Sequence, residues 1–336
     1  MRALVLRQAG ELAVAEVDTP EPRRDEVLVR VRTSGICGTD LKIFTGAVPV
    51  AYPLIMGHEM AGEVVSGGDG RISTGQRVLV DPVLFCGTCI DCRSGRTNLC
   101  SNGGIIGREV NGGFADFVVA PRTHVYPLPN SIDTRSAPAI QVLTTCLHAQ
   151  RRAGMAPDQS VAVVGLGVSG QLHAQLAKAL GAKTVIGLSR SAWKRSVAEQ
   201  LGADMTASSG EAAVAAVKDA TGGHGADVVI ECTGHMKALA DSIAMVRPGG
   251  TIVLFGIYTD REAALPFYQL YFKEPTIVSA RAATSEDFPE SIDLVARGAV
   301  SLSPLITQTV PLAQLREALA MLEDDVDGRM KIILEH

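Results

Sequence analysis

Val27, Val29 and Val31 are interleaved with Leu28, Arg30 and Arg32, the two-residue period of a half-buried strand. Residues 63–65, 78–80 and 117–119 are further short strand candidates, separated by glycine, proline and aspartate turns. This part of the chain is predicted to be β-rich. Near residue 150 the pattern changes. A continuous apolar run at 160–164 leads into Gly165-Leu166-Gly167-Val168-Ser169-Gly170, after which Leu172, Leu176 and Leu180 recur at helical spacing until Gly181 ends the helix. A strand at 184–188, a helix at about 192–201 and strands at 227–232 and 251–255 follow, the last introduced by Pro248-Gly249-Gly250. Alternating helices and continuously apolar strands predict a parallel sheet covered on both faces. Beyond residue 280, helices near 289–297 and 312–322 and a strand at 330–334 return to the mixed pattern and are expected to complete the first domain. The expected fold class is α/β, with one domain formed by 1–148 and 281–336 and the other by 149–280. No internal repeat or low-complexity stretch is visible.

A length of 336 residues is long for one hydrophobic core and comfortable for two. The formal charge of −5, with no dense Lys/Arg cluster, excludes a basic face for nucleic acid. No apolar run approaches the roughly 18 residues of a membrane span. The start of the chain turns polar at Arg7-Gln8, too early for a signal peptide, so a cytoplasmic location is expected. Seven cysteines, an odd number, fit reduced thiols and metal better than disulfides. Of these, Cys146 and Cys232 lie in apolar runs and read as buried small hydrophobes. The terminal Leu334-Glu335-His336 resembles the start of a histidine-tag scar and is given no functional weight.

The glycine motif at 165–170 follows a strand, opens a helix and lies in a βαβ unit, the context of a dinucleotide-binding fingerprint. Gly165, Leu166, Gly167, Val168 and Gly170 are therefore the expected pyrophosphate contacts, at the N-terminus of a helix. An NAD enzyme usually ends its second strand with a carboxylate for the ribose 2′-hydroxyl. Here that place falls at neutral Ser189, followed by Arg190, Lys194 and Arg195. A hydroxyl and a guanidinium suit a 2′-phosphate, so NADP(H) is expected over NAD(H). The alternative for Arg190 and Lys194 is an ordinary solvated helix start.

Cys86, Cys89, Cys92 and Cys100 have the spacing C-x2-C-x2-C-x7-C, which can close four thiolates around one ion on a loop at about 85–102. Such a site is coordinatively closed and structural; its net charge calls for nearby hydrogen-bond donors. An iron–sulfur cluster is the rival. Cys37 with the pair His58-Glu59 offers one soft thiolate, one imidazole and one carboxylate, an open zinc site. Two zinc ions per chain are expected.

Cys37-Gly38-Thr39-Asp40 joined with Gly57-His58-Glu59-Met60-Ala61-Gly62 resembles the zinc-dependent medium-chain alcohol and polyol dehydrogenases, and the resemblance covers almost the whole chain. It implies a GroES-like catalytic domain carrying the four-cysteine lobe, a Rossmann cofactor domain, and an active site in the cleft between them. It assigns Cys37 and His58 to the catalytic zinc, with Glu59 ligating it or waiting beside it, and Thr39 to carrying the substrate's proton towards the nicotinamide ribose. Lys42 stands where the family has a histidine, and either relays the proton or faces solvent. Gln141 stands where a Cys or Glu normally completes the zinc sphere, and either orients a ligand there or fills space. His148 reads as a packed core histidine. The implied activity is hydride transfer between NADP(H) and a secondary alcohol, polyol or sugar-like substrate, or the matching ketone, in a homodimer or homotetramer. The rivals are a cofactor- and zinc-binding member with degraded catalysis and a zinc-independent reductase on the same fold.

Overall fold

In a computed structural model, which describes residues 1–259, 262–323 and 326–336, the chain forms two compact units. The first comprises Met1–Val142, Thr284–Ala296 and Leu302–His336; the second comprises Leu143–Ala283 and Arg297–Ser301. The first boundary thus falls at Val142, within helix α3 (Ala139–Arg152), rather than at 148, and the short piece 297–301 belongs to the second unit. Among the described residues, no helix is long and apolar enough to cross a membrane.

Among the described residues, the first unit holds three sheets. A small one pairs β1 (Arg2–Gln8) with β2 (Glu11–Glu16) and β4 (Leu54–Ile55). The largest has the order β10-β6-β5-β3-β18-β17, where β3 is Glu26–Gly35, β5 Glu59–Ser66, β6 Arg77–Val80, β10 Val125–Pro127, β17 Ile306–Pro311 and β18 Lys331–Glu335. Strand β9 (Phe117–Pro121) also pairs with β3. A hairpin of β7 (Val83–Leu84) and β8 (Gly104–Ile105) brackets the cysteine loop. The alternation in the sequence is visible in β3: Val27, Val29 and Val31 are buried against Met60, Val64, Val78 and Val118, and Arg30 and Arg32 face out. Each buried valine contributes on the order of 1.5–3 kcal/mol of hydrophobic stabilisation.

The returning segment is tied in by polar bonds. Buried Asp81 accepts from the Val83 amide (2.9 Å) and from Ser285 Oγ (2.6 Å), and Tyr126 Oη donates to the Ser285 carbonyl while its ring stacks on Phe288. Burial raises the Asp81 carboxyl to about 7. His336, given no functional weight in the sequence, is held on several sides. One ring nitrogen contacts Ser34 Oγ at 2.8 Å, Nδ1 contacts the Ala115 carbonyl at 3.0 Å, and the backbone amide donates to Arg32. A neutral ring with its proton on Nδ1 satisfies both contacts, and burial lowers this imidazole to about 4. His336 is a packed part of the first unit.

The second unit is an all-parallel sheet of order β13-β12-β11-β14-β15-β16. Its strands are β11 Ser160–Val164, β12 Thr184–Leu188, β13 Met205–Ala207, β14 Ala226–Glu231, β15 Val246–Leu254 and β16 Thr276–Ser279. Alternate residues of each strand serve opposite faces. Val161, Val163, Val185 and Ile230 pack with Ala174 of α4 (Val168–Ala179) and Ala198 of α5 (Ala192–Gln200). Ala162, Val164, Ile186 and Val229 pack with Val217 of α6 (Glu211–Ala220) and Ile243 of α7 (Met236–Met245). The expected turn at Pro248-Gly249-Gly250 lies inside β15, where the pairing with β14 shifts register. The direction of winding reverses between β11 and β14, a topological switch point at whose carboxyl edge ligands of such sheets bind.

Candidate functional site

Among the described residues, two clusters of metal-ligating side chains stand in the first unit. In one, a ligand atom each from Cys37, His58 and Glu59 lies within 4.8 Å of the others. Cys37 is the N-cap of α1 (Gly38–Phe44), and the residue three positions on, Asp40, closes the cap: its Oδ2 accepts from the Cys37 amide at 2.8 Å. Fully buried Asp40 turns its other oxygen to His58 Nδ1, 3.2 Å away. Burial pushes the His58 ring down, but the Asp40 carboxylate and the Cys37 sulfur outweigh this and raise its pKa well above the ordinary value. A carboxylate behind a histidine fixes the orientation of the ring and presents its far nitrogen to a metal.

Glu59 opens β5 and is fully buried, paired with Lys331 of β18, which also donates to the Ile36 carbonyl at 3.0 Å. Its Oε1 is buried with no hydrogen-bond partner. An orphaned carboxyl oxygen beside a cysteine sulfur and an oriented imidazole is a donor set that fits zinc. Thr39 Oγ1 lies 3.7 Å from Cys37 Sγ. Lys42, half-buried, is in the last turn of the same helix. Gln141 is buried in the first turn of α3, and His148, further along that helix, is half-buried.

The second cluster brings together Cys86, Cys89, Cys92 and Cys100. Cys89 caps α2 (Ile90–Arg93), and the loop's amides point at sulfur: Cys86 N to Cys100 Sγ (3.3 Å), Cys89 N to Cys86 Sγ (3.4 Å) and Cys92 N to Cys89 Sγ (3.5 Å). Thr88 Oγ1 also donates to Cys86 Sγ, and these bonds, Thr88 first, lower that thiol to about 5. These are the donors that four thiolates on one divalent ion require, so the set fits a closed zinc site.

The dinucleotide fingerprint lies in the second unit. Gly165 has φ +91°, and a Cβ on Gly170 would sit 1.8 Å from the Gly165 carbonyl, so the turn and the helix can approach only as glycines. A Cβ at Gly167, the N-cap of α4, would meet nothing within 4 Å. That open cradle at a helix N-terminus fits a pyrophosphate. Val168 starts the helix. The Leu166 side chain is buried in the core, which leaves only its backbone for a cofactor. Ser189 and Arg190 directly follow β12, where Ser189 Oγ accepts from the Ser191 amide, and Lys194 lies in the first turn of α5, its amide donating to Ser191 Oγ. Arg195 bonds instead to the Ser189 and Arg190 carbonyls and shapes the loop.

The sequence reasoning missed Asp40, Lys331 and Thr233. Asp40 was readable as the partner of an N-cap three residues earlier. Lys331 had a signal in being a lone charge within an apolar strand. Thr233, whose Cγ2 sits against Gly165, had none.

Known proteins resemble this chain over nearly its whole length. Residues 23–130 match the alcohol dehydrogenase GroES-like domain and residues 168–297 the zinc-binding dehydrogenase domain. The L-galactonate-5-dehydrogenase of Escherichia coli K12 is 34% identical over 99% of this chain and 97% of its own. A structure from Sinorhizobium meliloti 1021 bound to NADP superposes with a TM-score of 0.93 at 33% identity, covering 100% of this chain and 99% of that one. An alcohol dehydrogenase of E. coli CFT073 complexed with NADH superposes with a TM-score of 0.92 at 27% identity over the same shares. The chain therefore belongs to the zinc-dependent medium-chain alcohol and polyol dehydrogenases, with a GroES-like domain joined to a Rossmann domain.

Proposed function

We propose that this protein is an NADP(H)-dependent zinc dehydrogenase that interconverts a secondary hydroxyl of a polyol or sugar-like substrate and the matching ketone. The observation that carries this reading is the convergence of Cys37, His58 and Glu59, with Asp40 and Lys331 behind them. These three residues hold a catalytic zinc, and Cys86, Cys89, Cys92 and Cys100 hold a second, structural one. Zinc supplies Lewis acidity that makes a substrate hydroxyl easier to deprotonate, and the nicotinamide carries the hydride. The chain's own residues do the rest. Asp40 keeps the His58 ring in one orientation. Lys331 holds the Glu59 carboxyl group aimed at the cluster. Thr39 accepts the hydroxyl proton and passes it outward, with Lys42 next in the relay. Buried Gln141 orients the substrate hydroxyl.

The choice of NADP(H) is supported by neutral Ser189 with Arg190 and Lys194 at the end of β12, where a carboxylate would repel a 2′-phosphate. Polyhydroxylated substrates are supported by Glu59 and by the galactonate dehydrogenase relative. A homodimer is supported by the second unit: edge strand β16 adjoins α8 (Phe267–Lys273), whose Phe267, Tyr268, Tyr271 and Phe272 are 62–77% exposed. Unpartnered apolar surface next to an open sheet edge invites a second copy.

Metal analysis with a substrate panel tests the central claim. Two zinc ions per chain are expected, with turnover of polyols by NADP+. Cys37→Ala should keep the fold and one zinc and lose turnover. Undiminished turnover in that variant refutes the zinc mechanism, and one zinc in the inactive parent points instead to a member with degraded catalysis.

A further inference from the structure

Beyond the fingerprint, the second unit contains a buried carboxylate with no assigned role. Glu231, the last residue of β14, is fully buried at the carboxyl edge of the sheet. Its Oε1 accepts from the Thr233 amide (2.7 Å) and from Thr233 Oγ1. Its Oε2 accepts from the Gly234 amide (2.9 Å) and from Tyr258 Oη (2.6 Å). Its carbonyl accepts from both Phe255 and Gly256, each at 2.9 Å. One residue therefore ties together the turn after β14 and the segment after β15. The bound turn also reaches the fingerprint, because the Thr233 methyl packs where a Cβ on Gly165 would fall. Burial, then the hydrogen bond to Glu231 and its charge, raise the Tyr258 phenol.

Topology says which part of a cofactor this braced edge would meet. A dinucleotide crosses the switch point between β11 and β14, and its adenosine ribose is read at the end of β12. The turns after β14 and β15 lie on the opposite side of the switch point, facing the nicotinamide half. We propose that Glu231 is a positioning residue for the nicotinamide end of the cofactor, acting through Thr233 and Tyr258. The inference rests on the cofactor reading above and adds the residue that sets the shape of that subsite. A carboxylate is required because four donors converge on its two oxygens. An amide in its place offers one acceptor oxygen and sets its own N–H groups against donors.

The test measures equilibrium binding of NADPH and NADH against ADP, which carries only the adenine half. It uses the full-length parent and the Glu231→Gln, Thr233→Val and Tyr258→Phe variants, with melting temperatures alongside. Glu231→Gln should weaken the preferred dinucleotide about tenfold or more, the effect of losing a hydrogen bond to a charged group, and leave ADP within about twofold. Thr233→Val, which keeps the methyl against Gly165 and removes only the hydroxyl, should show the same selectivity if Glu231→Gln does not fold. Tyr258→Phe should have a smaller effect of the same kind. Equal weakening of ADP and dinucleotide, or unchanged dinucleotide affinity in Thr233→Val and in any folded Glu231→Gln protein, overturns the proposal. A parent that binds no dinucleotide overturns the cofactor reading itself.

Discussion

Lys331→Met is the sharpest perturbation of the metal cluster, because it removes a charge that touches no proposed ligand atom but Glu59's. Methionine keeps the apolar stem, so packing changes little. What disappears is the counter-ion of a carboxylate that is fully buried and the donor to the Ile36 carbonyl. Removing one partner of a buried pair costs about 3–5 kcal/mol, because the other charge stays behind in a medium that cannot solvate it. Zinc changes that figure in a defined direction. A cation held by Cys37, His58 and Glu59 compensates the same carboxylate, so the loss should be near the top of the range in chelated protein and smaller in zinc-loaded protein. Adding Glu59→Gln should recover most of the loss in chelated protein, since no charge is then stranded. Native-state hydrogen exchange of β3, β5 and β18 reports directly on this region. The reasoning fails if the opening free energy of β18 in chelated Lys331→Met falls by less than about 1 kcal/mol, the scale of an exposed pair. It also fails if the double variant is no more stable than the single one.

Asp81 makes stability depend on pH. Its folded-state carboxyl is raised from the ordinary 3.8 to about 7 by burial. The folded protein therefore holds this proton more tightly than the unfolded chain, the stabilisation is complete below about pH 4, and it is lost as pH rises through about 7. At about 1.4 kcal/mol per pH unit the upper bound is ~4 kcal/mol. Asp81→Asn can still accept from Val83 and donate to Ser285 Oγ, so it should flatten this part of the stability profile between pH 4 and 8, measured by chemical denaturation; an unchanged slope refutes the assignment. Arg190→Ala should raise KM for NADPH about tenfold or more, as expected for a lost charge-assisted bond to a phosphate, and leave KM for NADH nearly unchanged. Equal effects on both refute the cofactor preference.

The readable parts of the sequence share one property: their signal is local. The alternation in β3, the glycine spacing at 165–170 and the cysteine spacing at 86–100 each declare themselves within about twenty residues, because period and ligand geometry are set by adjacent backbone. Several contacts that were missed cross longer separations, Asp40 and Thr233 being the local exceptions. Lys331 meets Glu59 from the far end of the chain, Asp81 is held by Ser285, and Glu231 is joined to Tyr258. No period announces such a pair. The packing of His336 was illegible for the same reason, since both contacts of its ring lie hundreds of residues away in sequence, at Ser34 and Ala115.

Strand pairing explains why the last strand belongs in the site at all. In the sheet β3 lies between β5 and β18, and Gly35 is opposite Glu59 on one side and Ile333 on the other. Lys331 is two residues from Ile333, so its side chain leaves the same face of the sheet as that of Ile333. The ion pair must cross the central strand at position 35. A Cβ there would lie 2.1 Å from Glu59 Oε2 and 2.8 Å from Lys331 Cε. Even alanine would push the carboxylate off its lysine or off the Cys37–His58 pair. Gly35 thus belongs to the Cys37–His58–Glu59 cluster without offering a ligand atom, because the absent side chain is the gap across which Lys331 of the final strand meets Glu59. Gly35→Ala should therefore lower zinc affinity at the open site while leaving the four-cysteine site loaded, a split that metal analysis after graded chelation resolves; parallel loss from both sites would mean that Gly35 serves only the fold.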